Sequence, residues 1–292
     1  MTAPTGKTAV VTGGTDGIGA ATALRLRRLG ADVILIGRSQ AKADALVARA
    51  AALPGPGSLR AITADFSSMR AVEAVVARLT GEIDAVDLLV HAVGILITRT
   101  EHTAEGVEKD FAVSYLSRFV FLEAAARQGL LHPGTRLVNI AASGPKIPTF
   151  ARMEFGNLAE VESRVGMKSH GQAQLANDLL TVQAPQRYGI TAIGYGPGAA
   201  DTSIRREVPT VLRAIMQPFY AWRTRKPDEV ARQVVDLLTD PTLATGSVSF
   251  HDRRGPFPPA GFITEPARQR DLLRTSTALA GKALADREDG TH

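Results

Sequence analysis

Along the first two thirds of the chain, short apolar runs alternate with longer stretches whose apolar residues recur every three or four positions. The short runs predict strands at Thr8–Val11, Asp32–Ile36, Leu59–Thr63, Val86–Val90, Arg136–Ala141 and Ile190–Tyr195. The longer stretches predict helices at Gly17–Leu29, Ser39 to about Ala51, Ser68–Thr80, Phe111–Gln128 and Gly171–Tyr188, with Pro185 placed to end the last one early. Strands that are apolar throughout must be covered on both faces, and helices between them supply the cover. The predicted fold class is therefore α/β, a doubly wound parallel sheet in a single domain.

Punctuation supports these boundaries. Gly30, Gly81 and Gly189 stand where a helix must stop before a strand, and Pro54-Gly55-Pro56-Gly57 reads as a surface loop. Pro227 followed by Asp228 and Glu229 opens a late helix, because proline has no N–H to lose there and carboxylates favour that end of the helix dipole. Ser247–Phe250 predicts a last strand, and Gly255-Pro256-Phe257-Pro258-Pro259 an irregular stretch. A final helix near Ala267–Ala285 reads as an appendage, which gives an α/β domain over 1–254 and a C-terminal loop and helical extension over 255–292.

Composition narrows the class. The 292 residues are 45% hydrophobic and 22% charged, ordinary for a globular chain with a large core. There is no cysteine, which excludes disulfides and thiolate chemistry and fits a cytoplasmic setting. The net charge of +5 is spread over helices, as at Arg25, Arg27 and Arg28, and no basic block points to nucleic acid. No signal-peptide pattern opens the chain, and no apolar run approaches the ~20 residues of a membrane span. No metal-ligand spacing stands out.

The sharpest motif is Thr12-Gly13-Gly14-Thr15-Asp16-Gly17-Ile18-Gly19, between a predicted strand and a predicted helix. A chain that turns tightly there and lets backbone amides approach a pyrophosphate needs glycine, and the helix N-terminus then faces the negative charge. The second strand ends Leu35-Ile36-Gly37-Arg38-Ser39. An acidic residue at that point binds the 2′-hydroxyl of NAD, whereas a basic one accommodates the 2′-phosphate of NADP. Arg38 and Ser39 thus predict NADP(H).

These residues resemble the short-chain dehydrogenase/reductase family, whose TGxxxGxG fingerprint is similar to Thr12–Gly19. Ala64-Asp65-Phe66 is similar to the segment whose aspartate meets the adenine, and Asp87–Gly94 to the strand ending in NNAG, which would bring Ala92 and Gly94 to the cofactor. Arg136–Ile140 looks like the strand leading to the catalytic serine, and Gly196-Pro197-Gly198-Ala199-Ala200-Asp201-Thr202 like the segment beside the nicotinamide, which implicates Pro197, Gly198 and Thr202. Glu105-Gly106, Phe111–Leu116 and His170–Asn177 resemble the retinol-dehydrogenase-like branch. The likeness covers about residues 7 to 250 and implies a Rossmann fold.

The resemblance also implies a catalytic tetrad of Asn, Ser, Tyr and Lys, and the chain departs from it at each place. His170 falls where tyrosine belongs, Gln174 where lysine belongs, and Ser114 where the helix asparagine belongs. The usual serine position is Ala142, with Ser143 beside it as a substitute, and His91 replaces the second asparagine of NNAG. Lys168 restores nothing, because Arg164 stands four residues before it. A histidine titrates near ~6.5 and can pass a proton at neutral pH. Gln174 can hydrogen-bond a ribose hydroxyl but carries no charge. His170 otherwise reads as a polar cap on the Gly171 helix, and Ser114 and a half-buried Tyr115 as helix-packing residues.

Substrates in the family enter over later loops. Here Ile147–Val165 carries Phe150, Met153 and Phe155, and Ser203–Trp222 carries Ile215, Met216, Phe219, Tyr220 and Trp222. Such residues suit a bulky, largely apolar small molecule, or equally a packed interface. Three functions stay open: an NADP(H)-dependent enzyme acting on a bulky carbonyl or hydroxyl compound, a non-redox enzyme for dehydration, cyclisation or isomerisation, and a cofactor-binding sensor without chemistry. The family's habit implies a homo-oligomer, dimer or tetramer, through its two long helices.

Overall fold

The structure, a computed structural model, describes residues 3–97, 99–141, 167–198 and 225–285. Strands β1 (Thr8–Thr12), β2 (Asp32–Gly37), β3 (Leu59–Thr63), β4 (Leu88–His91), β5 (Arg136–Ile140), β6 (Thr191–Gly196), β7 (Val248–Asp252) and β8 (Gly255–Pro256) form one sheet. Its order is β3-β2-β1-β4-β5-β6-β7-β8; only the β7–β8 pair is antiparallel. The chain winds outward from β1 to β3 and then returns to place β4 beside β1, with Thr12 opposite His91. That reversal opens a crevice at the carboxyl ends of β1 and β4, where doubly wound sheets bind ligands.

Helices α1 (Gly17–Arg28), α2 (Gln40–Ala51), α3 (Met69–Thr80), α4 (Lys109–Phe111), α5 (Ser117–Arg127), α6 (Met167–Tyr188), α7 (Pro227–Leu238) and α8 (Pro266–Ala285) cover the sheet. Alternate strand residues feed two cores. Val10, Ile34, Leu89, Leu137 and Ala192 pack with α3, α5 and α6 on one face. Ala9, Val11, Val33, Val90 and Ile193 pack with α1 and α7 on the other. Serines cap two helices as their positions require: Ser39 accepts from the Lys42 N–H at 3.4 Å and Ser68 from the Ala71 N–H at 3.3 Å.

Four expectations change. Pro185 does not end its helix, which runs on to Tyr188 because Leu180 and Ala184 are buried in the core. The helix predicted from Phe111 to Gln128 is interrupted by a π-helical turn over Ala112–Leu116. Tyr115 within it is fully buried, not half-buried, with its hydroxyl 2.6 Å from Ser276 Oγ. The partner in that bond belongs to α8, so the C-terminal helix is no loose appendage. Leu272, Leu279 and Ala283 on α8 join the same core as α3 and α6.

Candidate active site

The glycine-rich loop turns from β1 into α1. Gly13 adopts φ +68°, a left-handed conformation that side chains disfavour. A Cβ there would lie 2.6 Å from the Val93 backbone nitrogen, so the loop touches the strand β4 exit with no space left. At Gly19 an added Cβ would lie 2.2 Å from the Gly13 carbonyl oxygen, which fixes the first turn of α1 against the loop. Asp16 caps α1, accepting from the Gly17 N–H at 2.8 Å. Its other oxygen is paired with Lys42 Nζ at 2.5 Å, and that pair is roughly 40% exposed on each side, at 40% and 38%. Thr15 lies against Gly37 at the end of β2, and Ile18 turns into the core.

Arg38 follows β2, exposed and with no hydrogen bond or ion pair among the described residues. It stands between the glycine loop and α2, whose first residues carry Ser39 as cap and Lys42 on Asp16. Lys42 is a cation that sequence reasoning missed; a lysine in the first turn of a helix is otherwise unremarkable, and only the fold reveals that it neutralises Asp16. Asp65 lies exposed after β3, accepting from the Ser67 N–H at 2.9 Å. Phe66 is buried, its ring 6.5 Å from that of Phe121, so it belongs to the core and not to the cleft. Ala92 and Gly94 are half-buried after β4, and Pro197 and Gly198 follow β6. Ser143, Thr202 and the two apolar substrate segments lie outside the described residues.

Beneath the β4 and β5 exits lies a buried cation. Arg118, on α5 and 2% exposed, reaches Asn139 Oδ1 and the Val93 carbonyl oxygen at 2.5 Å each, and the Ile140 carbonyl at 3.3 Å. Among the described residues no carboxylate faces it, and burial pushes its pKa down to about 9, so it remains charged at neutral pH. His91 is fully buried beside it. Burial first, and the Arg118 charge second, hold its imidazole well below the usual range and therefore neutral. Its Nδ1 lies 3.1 Å from Thr12 Oγ1, and its ring meets Phe121 edge-on at 5.4 Å. His91 is a packing residue that ties β4 to β1.

The candidate catalytic residues converge on the π-turn. Ser114 donates to Asp110 Oδ1 at 2.7 Å and accepts from the Ile95 N–H at 3.1 Å. The Asn177 amide donates to the Ser114 carbonyl at 2.8 Å, satisfying a group that the π-turn displaces from the regular ladder. His170 lies within α6, three residues past its start at Met167, and so is not a helix cap. Its Nδ1 is 3.2 Å from Asp110 Oδ1 and its Nε2 is 3.0 Å from Gln174 Nε2. Of the four predicted catalytic residues, then, Ser114, His170 and Gln174 share one network, centred on an aspartate that sequence reasoning passed over. Glu108, two residues before it, accepts from Ser169 Oγ at 2.6 Å, and burial raises its carboxyl above the ordinary range.

The family model for short chain dehydrogenases matches residues 7–155, just over half of the chain. The chain belongs to the short-chain dehydrogenase family. Its place is the retinol-dehydrogenase-like branch: retinol dehydrogenase 13 of Homo sapiens is 25% identical over 284 residues, covering 94% of this chain and 85% of that one. A protein of Streptomyces sp. (strain C5), provisionally named a daunorubicin C-13 ketoreductase, is 28% identical over 278 residues, with 94% and 93% covered. A solved dehydrogenase/reductase from Sinorhizobium meliloti superposes with a TM-score of 0.62 at 26% identity, covering 85% of this chain and 94% of that one.

Short-chain dehydrogenases generally bind NAD(P)(H), and the cradle here fits such a dinucleotide. Gly13 and Gly19 leave no room for side chains, the α1 N-terminus faces the loop, and Arg38 has no partner among the described residues. Among the described residues no cluster could hold a metal ion, and no helix is long and apolar enough to cross a membrane.

Proposed function

We propose that this short-chain dehydrogenase is an NADP(H)-dependent oxidoreductase acting on a bulky, largely apolar carbonyl or hydroxyl compound, with His170 as its proton-transfer residue. The observation that carries the cofactor choice is Arg38, a cation with no partner among the described residues at the end of β2, beside a loop packed too tightly for any side chain at Gly13. Gly13, Gly17 and Gly19 would let backbone amides meet the pyrophosphate, and Arg38 and Ser39 the 2′-phosphate. Lys42 adds positive charge and cancels that of Asp16. Asp65, Ala92, Gly94, Pro197, Gly198 and Thr202 complete the cofactor site in this reading. The bound nicotinamide supplies hydride chemistry. This chain's own task is to orient the substrate and exchange a proton, through His170 with Gln174 and Ser114 in its network, and with Ser143 as the serine that the sequence offers.

The substrate class follows two lines of support. Relatives are named for retinol and for daunorubicin, and the segments around Phe150 and Trp222 are rich in apolar residues. A cytoplasmic homo-oligomer belongs to the same proposal, with an interface away from the surfaces of α3 and α6 that α8 covers.

Calorimetric titration with NADPH and NADH tests the cofactor reading. The wild type should prefer NADPH at least tenfold, and Arg38→Asp should reverse the preference. Equal affinities in both proteins would overturn it. A second reading is favoured by the His170–Asp110 contact, which is acid–base apparatus in its own right: a non-redox reaction on the same fold. Turnover of a substrate without change in the nicotinamide absorbance would select that reading.

A further inference from the structure

In the reductase reading Asp110 carries no role of its own. It is wholly buried, and a buried carboxylate is costly unless donors or a cation satisfy it. Its Oδ1 faces two groups, the Ser114 hydroxyl at 2.7 Å and His170 Nδ1 at 3.2 Å, while its Oδ2 has no hydrogen-bond partner among the described residues. The carboxylate therefore depends on these two contacts.

The contact at the second nitrogen of His170 gives the matching orientation of the protons. The amide nitrogen of Gln174 can only donate, so at 3.0 Å from it His170 Nε2 accepts. The single proton of the neutral ring then sits on Nδ1, aimed at Asp110. A continuous chain results, running from the Ile95 N–H through the Ser114 hydroxyl to Asp110 Oδ1, and from there to the Nδ1–H of His170, whose Nε2 receives Gln174. It joins the loop after β4 to the first turns of α6.

We propose that Asp110 is the positioning residue for His170: it holds the imidazole in the Nδ1–H tautomer and leaves Nε2 as the atom that takes up and gives back a proton. A carboxylate behind an imidazole fixes both its tautomer and its direction, and it stabilises the imidazolium formed when Nε2 accepts a proton from a substrate hydroxyl. In the reverse direction Nε2–H returns that proton to the substrate oxygen and the ring falls back to the same tautomer. Gln174 turns its amide to present oxygen instead of nitrogen when Nε2 is protonated. The inference rests on the proposed role of His170, but the Asp110–His170 bond can be tested without a substrate.

The test is nitrogen NMR of the full chain labelled with 15N-histidine, free of nucleotide and at alkaline pH. The chain has six histidines, and His170→Gln identifies the signal of interest. Wild type should show His170 almost wholly as the Nδ1–H form. Asp110→Ala should lower that fraction below about half, because the free imidazole favours the other tautomer. Asp110→Asn, which keeps the shape and one acceptor oxygen, should retain the Nδ1–H form, and an Nε2–H form in folded Asp110→Asn would overturn the proposal if the alanine variant does not fold. An Nε2–H form in wild type, or a folded Asp110→Ala with an unchanged tautomer, would overturn the proposal. Titration of the same samples with NADPH keeps the two readings apart. A protein that binds no NADPH yet shows the Asp110-dependent tautomer retains the positioning role and loses the reductase reading.

Discussion

Gly13 and Gly129 share a left-handed backbone, at φ +68° and +75°, and differ in what surrounds them. Gly129 is exposed at the end of α5, and a Cβ added there would meet nothing within 4 Å. Gly129→Ala should therefore cost only the conformational penalty of about 1–2 kcal/mol. Gly13→Ala carries that penalty and a collision as well. Its Cβ would lie 2.6 Å from Val93 N and 2.7 Å from Ala92 C, against the ~3.5–4 Å of ordinary contact. Backbone cannot swing aside as a side chain can, so β1 and the β4 exit must part by most of an ångström. The first bond at risk is Ala92 N–H to Thr12 O, now 3.0 Å, worth about 1 kcal/mol net. Overpacking adds roughly 1–3 kcal/mol. The total for Gly13→Ala is about 3–6 kcal/mol. Urea denaturation of the two variants beside wild type measures the contrast. Calorimetry should also show NADPH bound at least 100-fold more weakly by Gly13→Ala, about 2.8 kcal/mol, and unchanged in Gly129→Ala. Equal stability losses in the two variants, with NADPH affinity intact in both, would refute the tight contact between loop and strand on which the cofactor cradle depends.

Two further outcomes follow from single clusters. Glu105 reaches across from the loop before α4 to cap α3, accepting from Ser68 Oγ at 2.7 Å, the Met69 N–H at 2.8 Å and the Arg70 N–H at 3.4 Å; Glu105→Ala should lose about 2–4 kcal/mol in urea denaturation, and a loss under 1 kcal/mol would show that water replaces the carboxylate without penalty. Burial alone would raise the Glu123 carboxyl, but hydrogen bonds from Arg187 at 2.6 and 2.7 Å and from Tyr188 outweigh it and hold its pKa below the ordinary range. A depressed carboxyl contributes stability above its unfolded pKa of ~4.3 and loses it as pH falls through the folded value, so Glu123→Gln should flatten the acid side of the stability curve below about pH 4, with thermal melts from pH 6 to 3 as the measure.

Much of the fold was legible because its signals are local. A parallel strand buried on both faces must be a short apolar run, and each of the six strands predicted over Thr8–Tyr195 appears within two residues at either end. The π-turn at Ala112–Leu116 was not legible, since one extra residue in a helical turn leaves no trace in composition; its freed carbonyl is met by Asn177, 63 positions away. The role of α8 was within reach. Leu272, Ser276, Leu279 and Ala283 recur at spacings of four, three and four, the stripe of a helix with one buried face, and an appendage needs no such stripe.

The site divides along the same line. Gly13, Gly19 and Arg38 announce themselves because a turn and a strand end sit within one β-α-β unit, so residue type and position are read together. His170 and Gln174 are one turn apart on one helix and were also found as a pair. Asp110 was not, although it is the group on which both Ser114 and His170 converge, because it lies 60 residues from His170 and no local pattern marks a carboxylate that folding will bury. Its neighbour Lys109 pairs with Glu101 at the surface, so the segment looks like an ordinary polar helix start. Only burial separates the two. Lys109 remains about a third exposed and replaceable by water contacts, while Asp110 is sealed and must be answered by protein donors. The residue that the sequence hid is therefore the one for which the surrounding structure has the least freedom, and that lack of freedom is what fixes the imidazole beside it.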